Sequence, residues 1–298
     1  MRSRLLGRTA CALLAAAIAV SGGALAGADL TVGGEYLARP VSTTEAVTLR
    51  LVAGDRVQFR GFLPGLRVES PDSVVMLPFG PTPLDDEQRI RRQLDSASGG
   101  TGTGTGDGSE QGIFLPQDLD PLGSSATQSG VGDLRLGLAT RLFGRPAGLY
   151  MMDVELDVKA PTADVDKGLG TGEWDARVGF TGQRRFWTAT AFAGMGWTRI
   201  GDPTWIDFRD PVDLYGGAES EPLGPGLMLS GWIEGNSEIV PGAGHRAALA
   251  MGLRKNRRNS WRLSATFGLT DAAEDFGIRL GFTVGGTQQR SKAVEIGR

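Results

Sequence analysis

The stretch SWRLSATFGLTDAAEDFGIRLGFTV (260–284) decides the fold. Its first half sets Trp261, Leu263, Ala265, Phe267 and Leu269 on one parity and Ser260, Arg262, Ser264, Thr266 and Gly268 on the other. Its second half repeats the scheme, with Phe276, Ile278, Leu280, Phe282 and Val284 opposed to Asp275, Gly277, Arg279, Gly281 and Thr283. Successive side chains of a strand point to opposite faces, so period-two alternation gives one apolar and one polar face. EWDARVGF (173–180) follows the same rule, Trp174, Ala176, Val178 and Phe180 against Glu173, Asp175, Arg177 and Gly179.

Alternation alone fits two architectures. In a water-soluble sandwich the apolar face meets another sheet; in an outer-membrane barrel it meets lipid and the polar face lines a lumen. Strand length separates them. Segments of about ten residues cross a bilayer at a tilt, whereas ordinary strands average five or six. Twelve candidates run near 29–38, 45–53, 56–63, 131–142, 148–159, 172–182, 186–197, 211–219, 226–235, 244–254, 260–269 and 275–284. The even-numbered connections are short: Gly54–Asp55, GRPAG (144–148), GQRR (182–185), EPLGP (221–225) and KNRRN (255–259). The odd ones include the long stretches 64–130, 161–172 and 198–210. Short turns on one side and longer loops on the other, with an even strand count, are what single-chain barrels require. The expectation is an all-β, transmembrane, antiparallel up-and-down β-barrel of about twelve strands over 29–284, with ten or fourteen as alternatives.

Composition narrows the chemistry. The 298 residues carry 31 basic and 34 acidic side chains, without the basic excess of a nucleic-acid binder. One His and one Cys exclude a His- or Cys-built metal cluster, a disulfide framework and a Cys–His pair. No metal, no cofactor and no enzymatic activity are expected. His245, the sole base available to a Ser–His hydrolase, sits at a strand start with no serine motif beside it. At the N-terminus Arg2, Arg4 and Arg8 precede the apolar run CALLAAAIAV (11–20), then ALA (24–26) and AGA (26–28). That is the pattern of a secretory signal peptide over 1–28. A retained anchor would need about 20 apolar residues.

The connection 64–130 contains the tract SASGGTGTGTGDGSE (96–110). No Lys-Ser or Lys-Thr follows it and no strand leads into it, so it reads as low-complexity loop rather than phosphate cradle. Thr82, Pro83 and Asp85 resemble the start of a short helix near 83–95. Residues 285–298 form a polar tail.

Strand parity places a set of charges inside. Glu155, Asp157, Glu173 and Asp175 face inward from adjacent strands, flanked by Arg135 and Arg177, with Arg60, Arg246, Arg262 and Arg279 from other strands. These are the pore-lining candidates. One reading is a charged constriction that tunes which solute passes; the other is a ladder of salt bridges filling a narrow interior. A glycosidase pair of carboxylates is the remotest reading. On the constriction reading, replacing the four carboxylates alters selectivity before folding, and Arg279→Ser is mild. Trp174, Trp187, Trp197, Trp205, Trp232, Trp261, Phe143 and Tyr150 fall mostly near strand ends, as an interfacial aromatic belt requires.

The segments VTLRLVAGDRVQFRGFLP (47–64), SGVGDLRLGLATRLF (129–143), VELDVKAPT (154–162), GLGTGEWD (168–175) and GLTDAAEDFGIRLGF (268–282) occur in an order that resembles the outer-membrane transporter family of the phenol-degradation MetA pathway. The resemblance spans about 45 to 284. It departs where Pro161-Thr162-Ala163 stands for an expected Pro-Thr-Gly, and where the chain ends in a polar tail rather than an aromatic residue. The resemblance implies a single-chain barrel in the outer membrane that admits small hydrophobic or aromatic solutes. Its partners would be outer-membrane lipid, those solutes and the barrel-assembly machinery, and not nucleic acid. A surface-interaction barrel without transport, and a secreted ligand-binding β-sandwich, are the alternatives.

Because small residues precede both cuts, the mature protein is expected to begin at Gly27 or Asp29. N-terminal sequencing of the membrane-bound protein checks this, and retention of Arg2 would contradict it.

Overall fold

A computed structural model describes residues 28–38, 43–54, 57–69, 74–78, 110–114, 127–144, 149–203, 207–220, 222–223, 226–240, 244–255, 259–273 and 275–285. The signal-peptide segment, the expected helix near 83–95, most of the Gly/Thr tract and nearly all of the tail lie outside them.

The described residues form a closed antiparallel barrel. Its wall begins with β1 (Ala28–Ala38), β2 (Thr43–Ala53) and β3 (Val57–Glu69). A two-stranded piece follows, β4 (Val74–Pro78) with β5 (Glu110–Phe114). The short β6 (Thr127–Val131) leads into β7 (Leu134–Gly144), β8 (Tyr150–Ala160), β9 (Asp175–Arg185) and β10 (Ala189–Arg199). The wall is completed by β11 (Val212–Ser220), β12 (Leu227–Asn236), β13 (Arg246–Lys255), β14 (Asn259–Gly268) and β15 (Phe276–Gly285). Each barrel strand pairs with its sequence neighbour, β3 pairs with β7, and β15 closes on β1. Twelve strands make the closed wall, and they are the twelve expected from alternation.

The connection 64–130 holds the departures. β3 continues past Pro64 to Glu69 and pairs with β6 through Gly65↔Val131 to Glu69↔Thr127. Proline lacks a ladder donor. Opposite Pro64 the partner strand breaks at Gly132–Asp133, where Gly132 N–H donates to the Pro64 carbonyl at 2.9 Å. Treating that proline as a strand end therefore missed the extension.

Face assignment follows the expected parity. Thr283 and Arg279 are buried, whereas Ile278, Leu280 and Phe282 are exposed on the outside. Phe59, Leu136, Leu156, Met195, Leu214, Ile233 and Met251 add to the same outer surface. A continuous apolar exterior of this kind is a membrane-facing one. Trp187, Phe143 and Tyr150 lie exposed at the end bearing the short turns, Trp174 and Trp197 at the opposite end. Trp232 departs from the belt: it is mid-strand on β12, points inward and is fully buried.

Cross-strand partners climb steadily round the wall. Met151 of β8 is linked through Gln183, Phe192, Gly217, Trp232 and Ala250 to Thr266, and onward through Gly277 and Leu37 to Thr44 and Val68. The row starts near the short-turn end of β8 and finishes near the long-loop end of β3, so the strands are strongly tilted, as barrel closure demands. Gly54 makes the β2–β3 turn with φ 96°, where a side chain would run into the Val57 carbonyl oxygen.

Leu280, 57% exposed on the outer face, is expected to tolerate charge poorly. Leu280→Arg should cost about 2–4 kcal/mol near the bilayer midplane, read as a shifted denaturation midpoint on refolding into lipid vesicles.

Candidate functional site

The interior of β3 and β7–β11 is organised around two oppositely charged side chains. Glu155 accepts from Arg60 Nη1 at 3.4 Å and lies 3.3 Å from Arg60 Nη2 and 3.6 Å from Arg177 Nη1. The Thr181 hydroxyl donates to its Oε1 at 3.3 Å. Arg177 in turn grips Asp213 with both faces of its fork, Nε to Oδ1 at 3.0 Å and Nη2 to Oδ2 at 2.6 Å, with Asp157 3.8 Å away. Bidentate pairs of this geometry are the strong ones. Local sequence makes the room: a Cβ at Gly179 would stand 2.5 Å from Arg177 Nη1, and one at Gly196 would collide with Nη2.

A second knot ties the long-loop end. Lys159 Nζ lies 2.8 Å from Asp175 and 3.3 Å from Asp133, and donates to the Thr171 hydroxyl at 3.0 Å. Asp133 Oδ1 also receives the N–H groups of Thr162 and Ala163 at 2.9 and 2.8 Å, and Asp175 Oδ1 that of Gly201 at 3.0 Å. This folds residues 161–174 back over the barrel. Leu169 is buried against Ala46, Leu66 and Val68, and fits because Gly130 leaves its Cδ1 space. Within that loop the hydrogen-bonded Lys167 ammonium holds the exposed Asp164 carboxyl below its ordinary range. Three of the quoted sequence segments, VGDLRL, DVKAPT and GLGTGEWD, thus meet at one cluster.

Further interior charges are also paired. Arg246 reaches Glu234 at 3.0 Å, Arg254 grips Glu219 through Nε at 2.6 Å and through Nη2, and Arg279 donates to Glu35. Arg141 lies 3.8 Å from Asp153. Among the interior residues sits a buried aromatic cluster of Phe192, Tyr215 and Trp232 with Ala250. The Trp232 indole donates to Glu234 at 2.7 Å and the Tyr215 hydroxyl lies 2.8 Å from that of Thr181, so both rings are held by their polar ends.

The structure brings Arg60, Glu155, Asp157 and Arg177 into one network and places Asp175 in the Lys159 knot. Arg246, Arg262 and Arg279 are buried on the inner face of β13, β14 and β15. Arg135 is half-buried, its guanidinium 6.0 Å from the centre of the Phe62 ring, which shares its face. Glu173 precedes β9 rather than standing on it, so strand parity does not set its direction; its N–H donates to the Thr171 hydroxyl at 3.3 Å. Sequence reasoning missed Lys159, Asp133 and Asp213. Lys159 and Asp213 had a usable signal, since each stands on the inward parity of its strand. His245, at the mouth of β13, accepts the Glu238 N–H on Nδ1 at 3.1 Å.

The family model for the MetA-pathway of phenol degradation matches residues 79–205, and the chain resembles that family as its motifs indicated. No curated protein matches the chain. Among solved structures, an outer membrane channel from Pseudomonas putida F1 superposes with a TM-score of 0.60 at 14% identity, over 87% of this chain and 95% of that one. The CymD monoaromatic hydrocarbon channel follows at TM-score 0.43 and 9% identity over 89% of each chain. The β domain of the Bordetella autotransporter BrkA gives 0.42 and 12% over 87% and 98%. The first of these likenesses shows the fold, that of an outer-membrane β-barrel.

The expectation that Arg279→Ser is mild does not survive the Glu35 pair. Removing the arginine takes an ion-pair partner from the buried Glu35, at a cost of about 3–5 kcal/mol. Arg279→Ser should therefore lower the denaturation midpoint in lipid vesicles strongly, and Glu35→Gln in the same chain should restore most of the loss. Equal midpoints for wild type and Arg279→Ser would show the pair to be idle.

Proposed function

We propose that the chain is a passive outer-membrane channel for small hydrophobic or aromatic solutes. The observation that supports this reading is the inward-facing cluster of Phe192, Tyr215 and Trp232, buried among charges that neutralise one another. A field of one sign would select ions; paired charges around aromatic rings leave apolar solutes the better guests. Twelve strands also lie between the filled interior of an eight-stranded barrel and the aqueous channel of a porin.

On this reading the narrow region is the Arg60–Glu155–Arg177–Asp157 network, with Asp175, Arg246, Arg262 and Arg279 along the wall. Arg135 and Glu173 belong to the mouth, beside the loop 161–174 that covers part of it. Substituting Glu155, Asp157, Glu173 and Asp175 together would uncover Arg60, Arg177 and Lys159, so folding fails before selectivity shifts. That reverses the order expected from strand parity alone. The chain has no enzymatic role in this scheme. In this scheme residues 1–28 serve as the export signal.

Flux measurements decide between channel and structural barrel. Protein refolded into liposomes should admit benzyl alcohol several-fold faster than glucose, and faster than protein-free liposomes do. Absence of both solute flux and conductance would remove the channel reading and leave the barrel without transport.

A further inference from the structure

The outer wall carries a cavity that the interior does not account for. An open groove of about 860 Å3 is cut into the lipid-facing side of β8–β13. Gly182, Ala193 and Gly216 are direct cross-strand neighbours on β9, β10 and β11 and make its floor, which Gly235 and Ala247 continue on β12 and β13. Above the floor stand Met152, Phe180, Met195, Leu214 and Ile233.

Glycines on the inner face are explained by what lies over them. A Cβ at Gly194 would meet the Tyr215 ring, and one at Gly217 would meet Trp232 at 2.5 Å. Gly182 and Gly216 differ, whereas a Cβ at Gly235 would stand 2.6 Å from the Arg246 carbonyl oxygen. At Gly182 a Cβ would find only two carbonyl oxygens, both 4.0 Å away; at Gly216 its nearest neighbours would be 3.7 and 3.8 Å away. Neither has positive φ. Neither backbone shape nor any described side chain requires glycine at these positions, and glycine in a strand forgoes packing. What the missing side chains provide is room for a group from outside the chain.

That group lies in the membrane, because the groove opens on the surface that faces hydrocarbon. Its ends differ in polarity: Asn236, Ser237 and the exposed His245 line the long-loop end, while the outward-facing residues elsewhere are apolar, with Thr181, Glu234 and Arg246 bordering the groove from the inner parity. An amphiphile with a polar head and a flexible chain has the same division. Unbranched Met152 and Met195 adapt readily to such a chain. A second barrel presents a convex wall that does not enter a cleft of this kind. We propose that the groove is a specific site for a membrane lipid, with one acyl chain over Gly182, Ala193 and Gly216 and its head group at Ser237 and His245. The site is independent of whether the lumen transports anything.

Native mass spectrometry on the full mature chain in detergent, titrated with phosphatidylglycerol, tests it. The wild type should retain one lipid per chain. Gly182→Leu/Gly216→Leu, which fills the floor, should reduce that retention at least tenfold. Gly61→Leu, on the outer wall of β3 away from the groove, should not. Heat-modifiable migration on a gel reports that each variant is folded. Should the double variant not fold, Ala193→Ile narrows the same floor by one side chain and is read the same way. No retained lipid in the wild type, or equal retention in the filled variant, overturns the proposal. A wild-type dimer that the filled variant makes monomeric also overturns it, by assigning the groove to a second copy.

Discussion

The ladder between β1 and β15, running from Asp29↔Gly285 to Ala38↔Phe276, is the constraint on which the rest depends. Hydrocarbon offers no partner to a backbone N–H or C=O, so a sheet in a membrane must have no free edge. Closing first strand on last removes the edge. It also divides every side chain into one of two environments, lipid outside and a confined interior inside. The polar parity of each strand then has nowhere to go but inward, and the interior must accommodate it.

That accommodation is electrostatic. Seven arginines on the inner parity, from Arg50 on β2 to Arg279 on β15, are buried. Isolated buried charges cost several kcal/mol each, and pairing with hydrogen bonds offsets the cost without making it a large gain. The pairs therefore specify rather than simply stabilise. Glu155 between Arg60 and Arg177 fixes how β3, β8 and β9 meet. Lys159 between Asp133 and Asp175 fixes where residues 161–174 lie over the mouth. Leu169 completes that loop's seat, burying an apolar side chain at the long-loop end of a largely polar interior.

Glycine has opposite meanings on the two faces. Inside, Gly179, Gly196, Gly194 and Gly252 give way to Arg177, Tyr215 and Trp232, so small residues are the counterpart of large ones on the next strand. Outside, Gly182 and Gly216 give way to nothing in the chain. Inner glycines thus record how the interior packs, while Gly182 and Gly216 mark where the wall is thin and where something beyond the chain can approach it closely.

Alternation in 260–284 indicated strands with one apolar and one polar face, and the ten-residue strand length with short and long connections in turn chose the barrel over the sandwich. It located all twelve wall strands and put Arg60, Glu155, Asp157, Arg177, Arg246, Arg262 and Arg279 on the inner parity. It stopped at Pro64, since a missing donor looks the same in a strand end and in a strand whose partner breaks opposite it. It could not say which charges meet. Asp213 is distant in sequence from Arg177, and Glu35 from Arg279; the registers of β9 and β11 on β10 bring the first pair together, and the closing β1–β15 register brings the second. Trp232 shows the same limit. Its parity and its indole suited a belt as well as an interior, and only its bond to Glu234 and the closed wall round it decided for the inside. Periodicity is a local property and survives in the sequence. Pairing depends on register summed round a closed sheet, and that exists only in the folded chain.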